Sequence, residues 1–292
     1  MSSDDVPGER SVAETLGDAR GRLAARLAAR DDGARVDVVP PVALEFALDG
    51  GPNPLIGRYY GELLTQDRPL PAEARILDLG CAYGRIALDL VPRLTDEQIY
   101  VGLDPNAEAV EWATRNIAAR WSNFSFHRID VVSGPYNPDG TVTGTEFRFP
   151  FDDDTLDLVF MISVMTHVDL ATVEAYVREA SRTLKPDTGR LVATFFLLDD
   201  EVESLLAAGR SPFRMPWRAG ESRVENRDEP ELAIAHPRER VLQILREAGF
   251  ARTTVSEGSW SGRSGTREMD YQDLVIGDLR AVAEVAPPGR SL

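Results

Sequence analysis

The chain has 292 residues, with 32 basic and 48 acidic side chains for a net charge of −16 and a 43% hydrophobic content. That is enough apolar material for the core of one large domain or two small ones, and it excludes wholesale disorder. The acidic balance argues against the clustered basic surface that nucleic acid or an anionic membrane demands, and the lone cysteine, Cys81, excludes an intrachain disulfide and a multi-cysteine zinc site.

Residues 1–10 are polar and read as a disordered N-terminus without the apolar stretch of a signal peptide. Val12, Leu16, Ala19, Leu23 and Leu27 form one helical stripe, so residues 11–30 read as a helix that docks on the body or on a second copy. Pro40, Pro41, Pro52 and Pro54 cut the next stretch into turns and short pieces, with a short helix from about Leu55 to Leu64. Residues 11–74 together read as an N-terminal helical cap.

From Arg75 the rhythm changes to short apolar runs alternating with helical segments. RILDLG, QIYVGLD, FSFHRID, TLDLVFMISV and GRLVATFFLL read as five strands. RIALDLVPRL, NAEAVEWATRNIAARW and DLATVEAYVREASRTL read as helices between them. PRERVLQILREAGF is a further helix, and RTTVSEGSW and YQDLVIGDL are two last strands that pair antiparallel. The expected fold class is α/β: a Rossmann-like, doubly wound sheet of seven strands, mostly parallel, with an antiparallel last strand. Residues 75–280 form this domain, and residues 281–292 read as a flexible tail. Segments 131–150 and 199–235 break the alternation and are too long for connectors. Both follow strands, so both emerge where an open parallel sheet binds ligands, and they read as irregular cover insertions. No apolar run is long enough to span a membrane, and the expected location is the cytoplasm.

The first strand runs into Asp78, Leu79, Gly80, Cys81, Ala82, Tyr83, Gly84 and Arg85, and a helix follows. A glycine-rich turn at that place lets a ligand approach the backbone and the helix N-terminus. A dinucleotide fingerprint from Gly80 needs glycine at 82 and 85, where Ala82 and Arg85 stand, and Arg85 disfavours a nicotinamide-dependent oxidoreductase. An acidic residue followed by alternating glycines needs them at 80, 82 and 84, and only Ala82 departs. The single lysine, Lys185, follows Leu184 and excludes a phosphate-binding Gly-Lys turn. Residues 258–262, GSWSG, carry Trp260 where a nucleophile elbow needs serine, and Asp152, Asp153 and Asp154 lack the glycine and glutamate of a calcium loop.

With this turn, Asp104 at the end of the second strand, Asp130 at the end of the third, FDDDTLDLVFMISVMTHV and ASRTLKPDTGRLVATFF, the chain resembles the class I S-adenosylmethionine (SAM)-dependent methyltransferases. The resemblance implies SAM as cofactor and S-adenosylhomocysteine as product. It implies that Asp78 attracts the cationic methionine end, and that Gly80, Cys81, Ala82 and Gly84 accommodate that end along the backbone. Asp104 with Pro105 receives the ribose, Asp130 the adenine amino group and Val131 the ring through its amide. Ser163 and Tyr59 complete the set, although Tyr59 and Tyr60 serve equally as core residues, and Cys81 as a packing residue. His167, after the fourth strand, is the candidate general base or a packed histidine. Asp169 orients it or caps the next helix. His127 and His236 read as structural, no metal is expected, and Trp217, Trp260 and Tyr271 either line a pocket or pack. The implied activity is methyl transfer to a small-molecule acceptor by a monomer or homodimer. A hydroxyl on a secondary metabolite or sugar is preferred over carbon or nitrogen, and a SAM-binding protein without catalysis is the alternative from another class.

Overall fold

The computed structural model describes residues 37–49, 54–66, 68–264, 266 and 271–279. The sequence readings for residues 1–10, the 11–30 helix and the 281–292 tail lie outside them.

Helices α1 (Val42–Asp49) and α2 (Pro54–Gln66) precede the sheet. The first is one of the short pieces between the prolines; Pro40 and Pro41 stand before its first turn, where proline is tolerated. Strand β1 (Arg75–Leu79) leads to α3 (Arg85–Leu90), β2 (Ile99–Asp104), α4 (Ala107–Ala113) and β3 (Phe124–Arg128). A π-helical turn, Thr114–Ala118, continues α4, so the long second helix of the sequence reading is wound in two ways. Strand β4 (Leu158–Met161), α5 (Leu170–Thr183) and β5 (Arg190–Phe195) follow. Asn106 caps α4 and Asp169 caps α5, each side chain accepting a first-turn N–H.

The main sheet has the order β10-β11-β5-β4-β1-β2-β3, closed at one edge by β10 (Arg252–Ser256) and β11 (Asp273–Asp278). Strand β11 runs antiparallel to both neighbours, and the other pairings are parallel. Each face carries its own core. Leu77, Leu79, Val159, Met161 and Val177 lie on one, and Ile76, Tyr100, Leu158, Phe160 and Leu90 on the other. The alternation along β1 and β4 follows from strand parity.

Segment 199–235, expected to be irregular, is folded. After β6 (Leu197–Leu198) it forms α6 (Asp200–Ala207) and the hairpin of β7 (Trp217–Ala219) and β8 (Ser222–Val224). Strand β9 (Ile234–Pro237) pairs with β8 and β6, completing a second sheet of four strands in the order β6-β9-β8-β7, and α7 (Arg238–Glu247) returns to the main sheet. Apolar anchors explain the order: Phe196, Val202, Met215, Ala235 and Trp260 share a third core. The anchors are too widely spaced to give a periodic signal in the sequence.

Candidate functional site

The carboxyl ends of β1, β2, β3 and β4 meet at a cavity of about 610 Å³. In this strand order the chain leaves β1 and β4 in opposite directions, which opens a crevice at the strand ends. The residues after β1 form one wall. Gly80 and Gly84 have φ of 84°, and a Cβ on Gly80 would stand 2.3 Å from Val164 Cγ2. Both positions require glycine. Ala82 also sits in the left-handed region, at φ 48°. The strain is offset by its N–H, which donates to Asp104 Oδ2 at 2.8 Å.

Asp104 lines the cavity and ties the turn to β2: Oδ1 accepts from Asn106 N–H at 2.8 Å. Each carboxylate oxygen keeps a further lone pair, so the group can receive two hydroxyls beside the backbone donors. Burial pushes its pKa up to about 6, opposed by the Asn106 and Ala82 N–H groups, so it is ionised at pH 7. An anionic acceptor beside a glycine-bounded backbone turn fits a ligand with a ribose diol and an amino-acid end.

Of the other implied cofactor residues, Gly80, Ala82, Pro105, Val131 and Ser163 line the cavity. Cys81 and Gly84 lie in the turn but not on its wall, and the Cys81 thiol is buried in the core with its pKa pushed up by burial. Tyr59 packs edge-on against Tyr60 in that same core, away from the cavity lining. Asp130 is exposed and outside the lining, although its neighbours Ile129 and Val131 belong to it. Thr141 Oγ1 donates to Asp130 and holds its carboxyl below the usual range.

Asp78 is brought elsewhere than the sequence reading placed it. It is 1% exposed, outside the cavity lining, and accepts from Tyr100 Oη at 2.6 Å. Burial pushes its pKa from 3.8 up to about 7. A carboxyl raised in the folded state favours folding below the unfolded pKa, and that contribution is lost as pH rises toward 7. Replacing Asp78 with asparagine keeps an acceptor for Tyr100 and removes the buried charge. The Asp78→Asn protein should gain ~1–2 kcal/mol over the native chain at pH 8, and only a few tenths at pH 4. Urea denaturation at the two pH values measures this. An equal change at both would show that the Asp78 charge does not burden the fold.

His167 lines the cavity, and its Nδ1 lies 2.7 Å from the Glu231 carbonyl oxygen. A carbonyl only accepts, so Nδ1 carries the hydrogen. Burial lowers the His167 pKa below 6.5, so the ring is neutral at pH 7 and Nε2 is bare. Ser163 Oγ stands 3.5 Å from Nε2 and accepts from Gln272 Nε2 at 2.9 Å. Asp169, open between two roles in the sequence, caps α5 through Thr172 N–H at 2.8 Å. His236 is buried between Ser222 Oγ and the Met165 carbonyl with its pKa pushed down to about 4, and His127 is exposed on β3.

The two cover segments supply the opposite wall, with Val132, Ser133, Tyr136 and Thr143 from one and Ala219, Ser222 and Glu231 from the other. Trp217, Trp260 and Tyr271 are not in the lining. Trp260 is fully buried and donates to Asp273 Oδ2, Tyr271 packs beside it, and Trp217 stacks under the Arg227 guanidinium on the surface. Lys185 is engaged by the buried carboxylate of Asp157 at 2.8 Å. Sequence reasoning missed Glu231, Tyr136 and Gln272, which carry no motif. It also missed Arg85 as a lining residue, although Arg85 opens the helix after the turn. Among the described residues there is no cluster of metal-ligating side chains, and no helix is long and apolar enough to cross a membrane.

Residues 76–187 match the family model described as a methyltransferase domain. The fold resembles that of a protein described as an O-methyltransferase from Nostoc punctiforme PCC 73102, at 16% identity and a TM-score of 0.51, over 90% of this chain and 68% of that one. It also resembles the CurJ carbon methyltransferase, at 14% identity and a TM-score of 0.52, over 92% and 67% of the two chains. The PH0226 protein from Pyrococcus horikoshii OT3 matches at 16% identity and a TM-score of 0.50, over 80% and 95%. At these identities the likeness is one of fold.

Proposed function

Since the chain carries a class I SAM-dependent methyltransferase domain, we propose that it methylates a hydroxyl group of a small molecule such as a secondary metabolite or sugar. When bound, SAM supplies a methyl carbon on a sulfonium and leaves as a neutral thioether that needs no protonation. The observation that carries the choice of oxygen is His167, a neutral histidine with Nε2 bare at the cavity. A hydroxyl loses its proton as its oxygen bonds the methyl carbon, and a base whose pKa lies below the working pH is ready to take that proton.

Gly80, Ala82, Asp104 and Pro105 mark the cofactor end of the cavity, and Val131 belongs to the same lining. Asp104 receives the ribose hydroxyls. Ser133, Tyr136 and Thr143 from segment 131–150, with Ser222 and Glu231 from segment 199–235, surround the acceptor, so these two segments set acceptor choice. A volume of about 610 Å³ suits a cofactor with a small partner, and the charge of −16 supports a small molecule over nucleic acid. Calorimetry is expected to show binding of SAM and S-adenosylhomocysteine and none of NAD. S-adenosylhomocysteine release is expected with hydroxylated members of a small-molecule panel, with the new methyl located on oxygen by NMR of the product. NAD binding without SAM binding would overturn the assignment. A methyl found on carbon or nitrogen would overturn the acceptor atom.

A further inference from the structure

Glu231 sits in the short turn Pro230–Leu232, between the hairpin and β9, lines the cavity and reaches the other cover segment. Its Oε2 accepts from Ser133 Oγ at 3.1 Å and from Gly134 N–H at 3.0 Å, both in the opposite cover segment. Its own carbonyl oxygen receives His167 Nδ1 at 2.7 Å. Beyond the turn, Ile234 N–H donates to the Thr166 carbonyl at 2.8 Å, which binds the strand after the turn to the chain just before His167. One residue thus joins both covers to the imidazole.

The other ring nitrogen is held differently. Ser163 N–H donates to Thr194 Oγ1 at 2.7 Å, Thr194 Oγ1 donates to Gln272 Oε1, and Gln272 Nε2 donates to Ser163 Oγ. Gln272 Nε2 takes one lone pair of the Ser163 oxygen, and the Ser163 hydrogen is left to point at His167 Nε2, an acceptor only if Nδ1 keeps the ring hydrogen. The network on this side therefore agrees with the Glu231 carbonyl about where the hydrogen resides. It does not enforce it, because a hydroxyl oxygen would equally accept from an Nε2–H. The carbonyl cannot reverse its role, so the turn that carries it selects the tautomer.

We propose that Glu231 is a positioning residue: its carboxylate latches the Pro230–Leu232 turn onto Ser133 and Gly134, and so fixes His167 as the Nδ1–H tautomer with an unprotonated Nε2. The inference rests on the reading of His167 as the base of an O-methyltransferase. The contact between the covers and the hold on the ring depend on one residue, whose carboxylate makes the first and whose carbonyl makes the second.

Nitrogen NMR of histidine-labelled protein at pH 7.5 tests this without any acceptor, with the His167→Gln spectrum assigning the signals. The wild-type His167 is expected to be almost wholly Nδ1–H. In Glu231→Ala the ratio of Nδ1–H to Nε2–H should fall at least about tenfold, the loss of one well-placed hydrogen bond. Glu231→Gln keeps an oxygen acceptor and should hold the wild-type ratio, while Ser133→Ala, which removes one partner from the other side, should give a smaller fall. S-adenosylhomocysteine affinity should stay within about threefold throughout. An Nε2–H wild type, an unchanged ratio in Glu231→Ala, or a glutamine that behaves as alanine would overturn the latch. A ratio that shifts as expected while His167→Gln retains full turnover would keep the latch and overturn the base.

Discussion

His167→Gln is expected to lower turnover of the hydroxyl acceptor by about 10²- to 10⁴-fold, the range typical for loss of a positioned general base. Glutamine approximates the length of the ring, and a companion His167→Asn variant, whose amide N–H falls where Nδ1 stands, keeps the donation to the Glu231 carbonyl and holds the turn in place. Neither has a basic nitrogen. Cofactor affinity should change by less than about threefold, because Asp104 and the glycine turn are untouched. The pH profile separates a lost base from a lost contact. In the native enzyme the His167 pKa lies below 6.5, so the rate falls only on the acid side and is flat above neutrality. In the variant the acceptor must ionise by itself, so the rate should climb with pH toward the pKa of its hydroxyl, and the deficit should shrink. Steady-state rates with the acceptor found by the panel, from pH 5.5 to 9.5, give both curves. Parallel curves of equal height would leave His167 as a packed residue under the cover.

The sheet was readable because apolar runs of strand length alternate with helical stripes, and because glycines stop β1 where the chain must turn. Gly80, Ala82, Asp104 and Pro105 lie next to those strand ends in sequence, so local pattern was enough to bring them to the cavity. Asp78 shows where pattern needed one more step. Residues along a strand alternate between faces, so Asp78 shares the face of Ile76, which packs in the core beneath α2 and α3. On that face it accepts from Tyr100 Oη, whose strand neighbour is Ile76, and it stays outside the cavity lining. Asp130 likewise follows the strand end but turns outward to Thr141, and only its neighbours enter the cavity. The facing wall was legible only as two long segments, 131–150 and 199–235, at the ligand edge of the sheet, and its individual residues were not. Glu231, Tyr136 and Ser222 arrive from distant segments, and their meeting depends on a core of widely spaced anchors such as Phe196, Met215 and Trp260. Gln272 stands just before β11, in reach of Ser163 and Thr194 only because β11 inserts next to β5.

Asp104→Ala should weaken S-adenosylhomocysteine binding by ~1.5–3 kcal/mol, roughly ten- to 150-fold, through loss of charge-assisted hydrogen bonds to the ribose. The same carboxylate holds the Ala82 and Asn106 N–H groups, so two effects must be told apart. Removing it orphans two backbone donors, which destabilises the ligand-free protein. It also removes a carboxyl whose pKa burial raises from 3.8 to about 6, a group that opposes folding as pH rises through that interval. The two terms have opposite sign at pH 7, and the net change in unfolding free energy should stay within ~1 kcal/mol, less than the binding loss. The ribose hydroxyls favour the ionised carboxylate, so native binding should tighten as pH rises from 5 to 7 and release part of a proton near pH 6. Asp78, which titrates at about 7 beneath the same turn, contributes to the raw curve. The Asp104 charge also raises the Asp78 pKa, so both curves are taken in an Asp78→Asn background, where their difference belongs to Asp104. Calorimetry in buffers of different ionisation enthalpy reads the proton directly. An alanine variant that is folded, binds the product as tightly as the native chain and releases the same proton would remove Asp104 from the cofactor site and leave it only its hold on the glycine turn.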